Sequence, residues 1–143
     1  MSLNAKKSIL SPKVNFPIDV QRNFKITYKF LVPILDKKSS FGITFSATED
    51  LQGLFWVSEN SYALGYRGIE KSGKIPLKKG KNQVVVFTME KRGNTLIFSV
   101  NNMVACEINE VLQTSKFGVI LYTSSKATVL VNEIIINQAE EDL

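Results

Sequence analysis

Not one of the 143 residues is a histidine. That absence removes the general base of Ser-His-Asp and Cys-His nucleophile systems and rules out every histidine-containing zinc site. There is one cysteine, Cys106, which can form neither an internal disulfide nor an all-cysteine metal site. With no histidine to activate it, Cys106 reads as a small apolar residue on a strand rather than a nucleophile. No window reaches the roughly 18 apolar residues of a membrane-spanning helix. The opening Met-Ser-Leu-Asn-Ala-Lys-Lys lacks the apolar stretch of a secretory leader, and the compartment is left open. No glycine loop ends in Lys-Ser or Lys-Thr to cradle a phosphate, and no fixed-period repeat suggests a propeller or solenoid. Carboxylate chemistry, lysine chemistry, or binding without catalysis is what remains. No cofactor and no metal are expected.

What is present describes an ordinary folded domain. The chain is 44% hydrophobic and 22% charged, a balance typical of globular proteins. A chain this long buries roughly two-thirds of its unfolded surface and needs no covalent staples. We expect one domain over residues 1–143, with a core of about 14–137 and loose termini. The net charge of +5 is unevenly placed. Lys71, Lys74, Lys78, Lys79 and Lys81 crowd one stretch, Lys6, Lys7 and Lys13 another, and Glu140, Glu141 and Asp142 close the chain. Gly73, Pro76 and Gly80 break the main lysine run, so it is expected to be a solvated connection rather than an ordered basic groove. No nucleic-acid partner is expected.

The dominant pattern has period two. Phe24, Ile26, Tyr28, Phe30 and Val32 alternate with Lys25, Thr27, Lys29 and Leu31, as in a strand with one face on a core. A helix would put Phe24 and Ile26 about 200° apart and waste the pattern. The alternation returns in Phe41-Ile43-Phe45, in residues 54–58 and 61–66 around a Glu59-Asn60 turn, in Leu96-Phe98-Val100 and in Phe117-Val119-Leu121. Residues 82–91 hold Val84, Val85, Val86 and Phe87 in succession, a strand apolar on both faces and so expected at the centre of a sheet. Arg92-Gly93-Asn94 and Asn101-Asn102 read as turns, since Asn and Gly tolerate positive φ. In the last strand Val129 and Val131 share one parity while Ile134 and Ile136 share the other. A bulge near Asn132-Glu133 would bring both sets to one face. Nine or ten strands result, with a single helical turn expected somewhere in 110–115.

The order of these features resembles the concanavalin A-like lectin/glucanase superfamily, in particular the small bacterial jelly-roll modules that include laminin-G-like and DUF1080-type domains. The resemblance runs from residue 24 to residue 137. It is carried by Phe41-Gly42-Ile43-Thr44-Phe45, by the hairpin from Phe55-Trp56-Val57-Ser58 to Tyr62, and by Lys81-Asn82-Gln83-Val84-Val85-Val86. It continues through Gly93-Asn94-Thr95-Leu96-Ile97-Phe98-Ser99-Val100-Asn101-Asn102, Phe117-Gly118-Val119 and the closing Val129 to Ile136. It implies a jelly-roll β-sandwich of two antiparallel sheets, all-β in class. It also implies that a curved face or the loops at its rim hold glycans or peptides. Some relatives of this kind are hydrolases and many are accessory modules of larger proteins.

Glycoside hydrolysis needs two carboxylates across the scissile bond. The glucanases of the superfamily carry theirs on alternate positions as Glu-x-Asp-x-Glu or Glu-x-Asp-x-x-Glu. The nearest match here is Glu107-Ile108-Asn109-Glu110-Val111-Leu112, where Asn109 replaces the middle acid and the third is missing. Glu107 and Glu110, three apart, would face opposite sides of a strand. Asp19, Asp36, Glu49 and Asp50 lack the spacing of a calcium loop and read as turn residues. Aromatic rings that could stack on a sugar are Trp56, Tyr62, Tyr66 and Tyr122. Trp56 has opposite parity to Phe55 and Val57 and is expected to point away from the core, unless it fills a second buried face. Asn60 and Arg67 could add hydrogen bonds. The expected site is therefore Trp56, Asn60, Tyr62, Tyr66 and Arg67. The expected function is non-catalytic binding, with a glycan as ligand and another protein as the alternative partner. A glycosidase-like hydrolase is the remaining alternative. Oligomeric state is left open.

Overall fold

The structure is a computed structural model that describes residues 2–4, 7–10, 18–34, 40–46, 52–58, 60–66, 68–75, 77, 81–109, 117–122 and 128–138. Among the described residues every regular element is a strand: β1 (Ser2–Asn4), β2 (Lys7–Leu10), β3 (Phe24–Ile34), β4 (Ser40–Ser46), β5 (Gln52–Ser58), β6 (Ser61–Tyr66), β7 (Ile69–Lys74), β8 (Lys81–Arg92), β9 (Thr95–Val100), β10 (Met103–Ile108), β11 (Phe117–Tyr122) and β12 (Thr128–Gln138). They form two six-stranded antiparallel sheets. Sheet A runs β1-β12-β3-β8-β9-β10 and sheet B runs β2-β11-β4-β5-β6-β7. The closing strands β11 and β12 lie beside β4 and β3, so the chain ends are drawn into both sheets. This is the jelly-roll β-sandwich that the alternation and the resemblance implied.

The period-two pattern becomes burial directly. Phe24, Ile26, Tyr28, Phe30 and Val32 are all buried on the inner face of β3, and Val85, Phe87 and Met89 do the same on β8. From the opposite sheet come Phe41, Ile43, Phe45, Phe55, Val57, Leu64 and Tyr66. Aromatic rings run in a connected line between the sheets. Phe30 meets Phe87 at 5.2 Å, Phe87 meets Phe55 at 5.6 Å, Phe55 meets Phe98 at 5.1 Å, Phe98 meets Phe45 at 5.3 Å and Phe45 meets Tyr66 at 5.1 Å. Each such buried side chain contributes roughly 1.5–3 kcal/mol by leaving water.

Turns and irregularities lie where the sequence implies. Asn101 and Asn102 take φ of 51° and 65° between β9 and β10, the geometry of a two-residue hairpin that matches strand twist. Asn101 is used twice over, since its side-chain Oδ1 accepts from Val86 N at 2.9 Å while its backbone N–H donates to Val86 O at 2.8 Å. Gly93 has φ of 60° in the β8–β9 turn. In β12 the register steps between Val131 and Glu133, so that Val131 pairs with Phe30 and Ile134 with Tyr28. The bulge at Asn132 thus carries both parities of apolar residues onto positions opposite core residues of β3.

Three strands exceed the sequence expectation. Residues within the N-terminus read as loose form β1, paired with β12, and β2, paired with β11. The lysine run read as a solvated connection begins as β7, which pairs along its length with β6. Beyond it Ile75 and Leu77 are buried, and Ile75 N donates to Asn60 O at 2.9 Å. Ile75 and Leu77, spaced among the lysines, hold this segment down, while Lys71 and Lys74 stay exposed. The helical turn expected in 110–115 lies outside the described residues.

Candidate functional site

β5 and β6 form a hairpin closed by the pairing of Ser58 with Ser61. Alternation along β5 sends Phe55 and Val57 into the core, both fully buried, and puts Trp56 half-buried on the outer face. Its cross-strand neighbours are small. Gly42 lies opposite on β4 and Ala63 on β6, and Ala63 pairs with Ser72 on β7. The next row away from the turn is Thr44, Leu54, Gly65 and Glu70, and the row nearer the turn holds Ser58, Ser61 and Lys74. Among the described residues no other aromatic ring contacts the Trp56 indole. A large flat ring thus stands among glycine, alanine and serine, with Ser58 Oγ and Ser61 Oγ 2.9 Å apart beside it.

The neighbouring strand crowds this point. A Cβ added to Gly42 would strike the Phe55 carbonyl oxygen and lie 2.6 Å from the Trp56 Cα. Because Gly42 alternates with the inward Phe41 and Ile43, the β5 backbone stands on the outer side of β4 here. Thr44, on the same face, is only 1% exposed.

Of the five expected site residues, the four that are described do not come together on one face. Trp56 is on the outer face, and Asn60 is exposed at the tip of the hairpin. Tyr66 is 2% exposed and packs on Phe45, which removes it from a surface stacking role. Tyr62 shares the inward parity of Leu64 and Tyr66. Its ring contacts Phe55 at 6.1 Å and covers Gly73, where a Cβ would lie 2.8 Å from Tyr62 Cε1. Burial and the neighbouring Cys106 raise the Tyr62 phenol above its ordinary range. Both tyrosines follow the rule that residues two apart on a strand share a face. Arg67 lies outside the described residues, as does the Tyr122 side chain. The serines around Trp56 were legible only as the polar half of an alternating strand, with no signal for a site.

The remaining candidates do not converge. Asp19 turns on itself, its carboxylate accepting from Gln21 N at 3.0 Å. Asp36, Glu49, Asp50 and Glu110 lie outside the described residues. Glu107 is exposed on β10, the edge strand of sheet A, and its carbonyl accepts from Lys71 Nζ at 2.8 Å. That bond ties the β7 edge of one sheet to the β10 edge of the other. Cys106 lies beside it, buried, and burial pushes its thiol up to about 11, consistent with a packing role. Among the described residues no group of three His, Cys, Asp or Glu could hold a metal ion, and no helix is long and apolar enough to cross a membrane.

The sequence matches no family model and no curated protein. Solved structures do match it. An alginate lyase, AlgAT5 of polysaccharide lyase family 7, superposes with a TM-score of 0.58 at 9% identity over 82% of this chain. The chain spans 60% of that lyase's length. Sheep galectin-11 in complex with glycerol gives a TM-score of 0.58 at 14% identity, covering 90% of this chain and 97% of the galectin. The carbohydrate-binding module CBM66 from Bacillus subtilis gives 0.56 at 12% identity, covering 96% and 95%. These neighbours share the concanavalin A-like β-sandwich, and they include both binding modules and an enzyme.

Proposed function

We propose that this chain is a glycan-binding β-sandwich module whose contact surface is the outer face of β5–β7, centred on Trp56. The observation that carries this reading is the partly exposed indole on the outer face, in a row with Gly42, Ala63 and Ser72. The apolar C–H face of a pyranose can lie on an aromatic ring, and small neighbours leave room for it to do so. Ser58, Ser61 and Ser72 supply hydroxyls for the sugar's own hydroxyls, and Asn60 adds an amide at the hairpin tip. Arg67 follows β6 in sequence and joins the proposal as a further donor. The galectin and carbohydrate-binding-module neighbours support the same ligand class.

The reading is of binding rather than hydrolysis. Among the described residues the face around Trp56 carries one carboxylate, Glu70, where glycoside hydrolysis uses two. The test is a panel of polysaccharides and oligosaccharides with calorimetry on the hits. Trp56→Ala is expected to weaken binding at least tenfold, about 1.4 kcal/mol, in a protein that still folds, with a lower melting temperature from the lost burial of the indole. Unchanged affinity in a folded Trp56→Ala protein would sink the site. Turnover of any panel member, lost on Glu70→Gln or Glu107→Gln, would replace binding with catalysis.

One observation favours a second reading, a protein-contact module. Val84 and Val104 on the outer face of sheet A are 55% and 61% exposed. A concentration-dependent dimer in light scattering, with no glycan bound, would favour it.

A further inference from the structure

We propose that the glycan face centred on Trp56 takes an acidic sugar, and that Lys74 is the residue that selects its carboxylate or sulfate group. This rests on the glycan reading above and adds to it the charge and the direction of the ligand.

The strand register decides which groups share that face. On β6 the side chains of Tyr62, Leu64 and Tyr66 turn inward, so Ser61, Ala63 and Gly65 belong to the outer face. Ser61 pairs with Lys74, Ala63 with Ser72 and Gly65 with Glu70. Residues directly opposite in a sheet lie on one side of it. Lys74, Ser72 and Glu70 therefore join Trp56 on the outer face, and all three are exposed. The other cation of β7, Lys71, has the opposite parity and is engaged with the Glu107 carbonyl of sheet A at 2.8 Å. Lys74 is well anchored. It pairs with Ser61, and the next residue, Ile75, is buried and donates its N–H to Asn60 O at 2.9 Å. The backbone that carries the ammonium is thus fixed beside the hairpin tip.

The face is charged unevenly along β7. Lys74 and Glu70 are separated by about 13 Å of strand, too far to neutralise each other. Among the described residues neither has an ion-pair partner. Lys74 stands in the row of Ser58 and Ser61, Glu70 in the row of Leu54 and Gly65, and the Trp56 row lies between them. Each charged residue has its Cα about 12 Å from that of Trp56, from two strand spacings and two residue steps. A lysine side chain and the width of one sugar ring together span that gap. A ring stacked on the indole then has an ammonium toward one edge and a carboxylate toward the other. An acidic substituent gains a charge-assisted hydrogen bond at Lys74, with the Ser58 and Ser61 hydroxyls beside it. Turned round, it would meet Glu70 as a like charge, so binding has one direction. The Glu70 end has no side-chain hydroxyl in its row, only Leu54 and Gly65, and so is poorly equipped to complete the shell of a cationic amino group.

The test is calorimetry on the full chain at low ionic strength. The probes are glucose and galactose oligomers of matched length, each as neutral, uronate, 6-sulfated and 2-amino forms. One acidic form is expected to bind about fivefold more tightly than its neutral parent, the upper range of an exposed ion pair, and which one it is distinguishes carboxylate from sulfate. Added salt should erase the preference, Lys74→Gln should abolish it, and Glu70→Gln should tighten acid binding by about twofold. Both substitutions are at exposed positions and keep the fold. If neutral and acidic forms bind alike while Trp56→Ala weakens both, the glycan reading stands and acid selection falls. If no oligomer binds, both fall. Tighter binding of the amino form, or an acid preference that survives Lys74→Gln, would also overturn the proposal.

Discussion

The two sheets present opposite kinds of outer surface. On sheet B the outward positions of β4, Gly42 and Thr44, are buried, and the neighbouring backbone crowds the glycine. On sheet A the outward positions Val84 and Val104 lie more than half in solvent, among Lys25, Thr27 and Lys29 of β3. Lys29 pairs with Glu133 at 3.2 Å across the strands, an exposed pair of the kind that contributes little to stability. The inner faces are equivalent in kind, since both supply large apolar rings to one core. The outer faces therefore differ because of local backbone shape and side-chain size, and only the crowded one sets a large aromatic ring among small residues.

The largest effect is expected from filling the crowded face. Gly42→Ala puts a methyl group against the Phe55 carbonyl and the Trp56 backbone, and should destabilise by about 1–3 kcal/mol, read as a lower denaturant midpoint. A neutral result would mean that the two outer faces are alike in packing. A smaller effect of opposite sign tests the inner face of sheet A. The Tyr28 hydroxyl is buried with no hydrogen-bond partner among the described residues, and burial drives its phenol far above the ordinary range. Tyr28→Phe removes an unsatisfied polar atom and should stabilise by about 1 kcal/mol. A loss of stability would reveal a partner for that hydroxyl. The smallest effect belongs to the open face. Val84→Thr and Val104→Thr keep the branched shape that strands favour and should each stay within about 0.5 kcal/mol of the parent. A larger change in either would show that the open face is covered in solution.

Much of the architecture was legible from the chain. Period-two alternation in residues 24–32, 41–45 and 96–100 identified inward positions correctly, because each strand sees one core and one solvent side. Asn101-Asn102 announced its turn through the φ values that asparagine tolerates, and the clash of parities in 129–136 announced the bulge. The site was less legible. Trp56 was placed outward by parity, yet the same rule applied to Tyr62 and Tyr66 sends both inward with Leu64. Side-chain chemistry groups those tyrosines with Trp56, whereas the face they share does not. The strand β7 was hidden because its lysines suppress the apolar signal, although Ile75 and Leu77 follow it into the core.

By itself the sequence determined the fold class, the inward residues of most strands, the main turns, and the lack of histidine chemistry. These follow from local rules of periodicity, backbone preference and composition, each acting over a few neighbouring residues. The tertiary structure alone decided which strands are neighbours, that the β5 backbone leaves no room for a side chain on Gly42, and that Lys71 joins two sheet edges. It alone set Lys74 and Glu70 on one face with Trp56. Lys71 and Glu107 meet from 36 positions apart, and no local periodicity carries information over that distance. Such meetings are set by how the two sheets pair and stack as a whole.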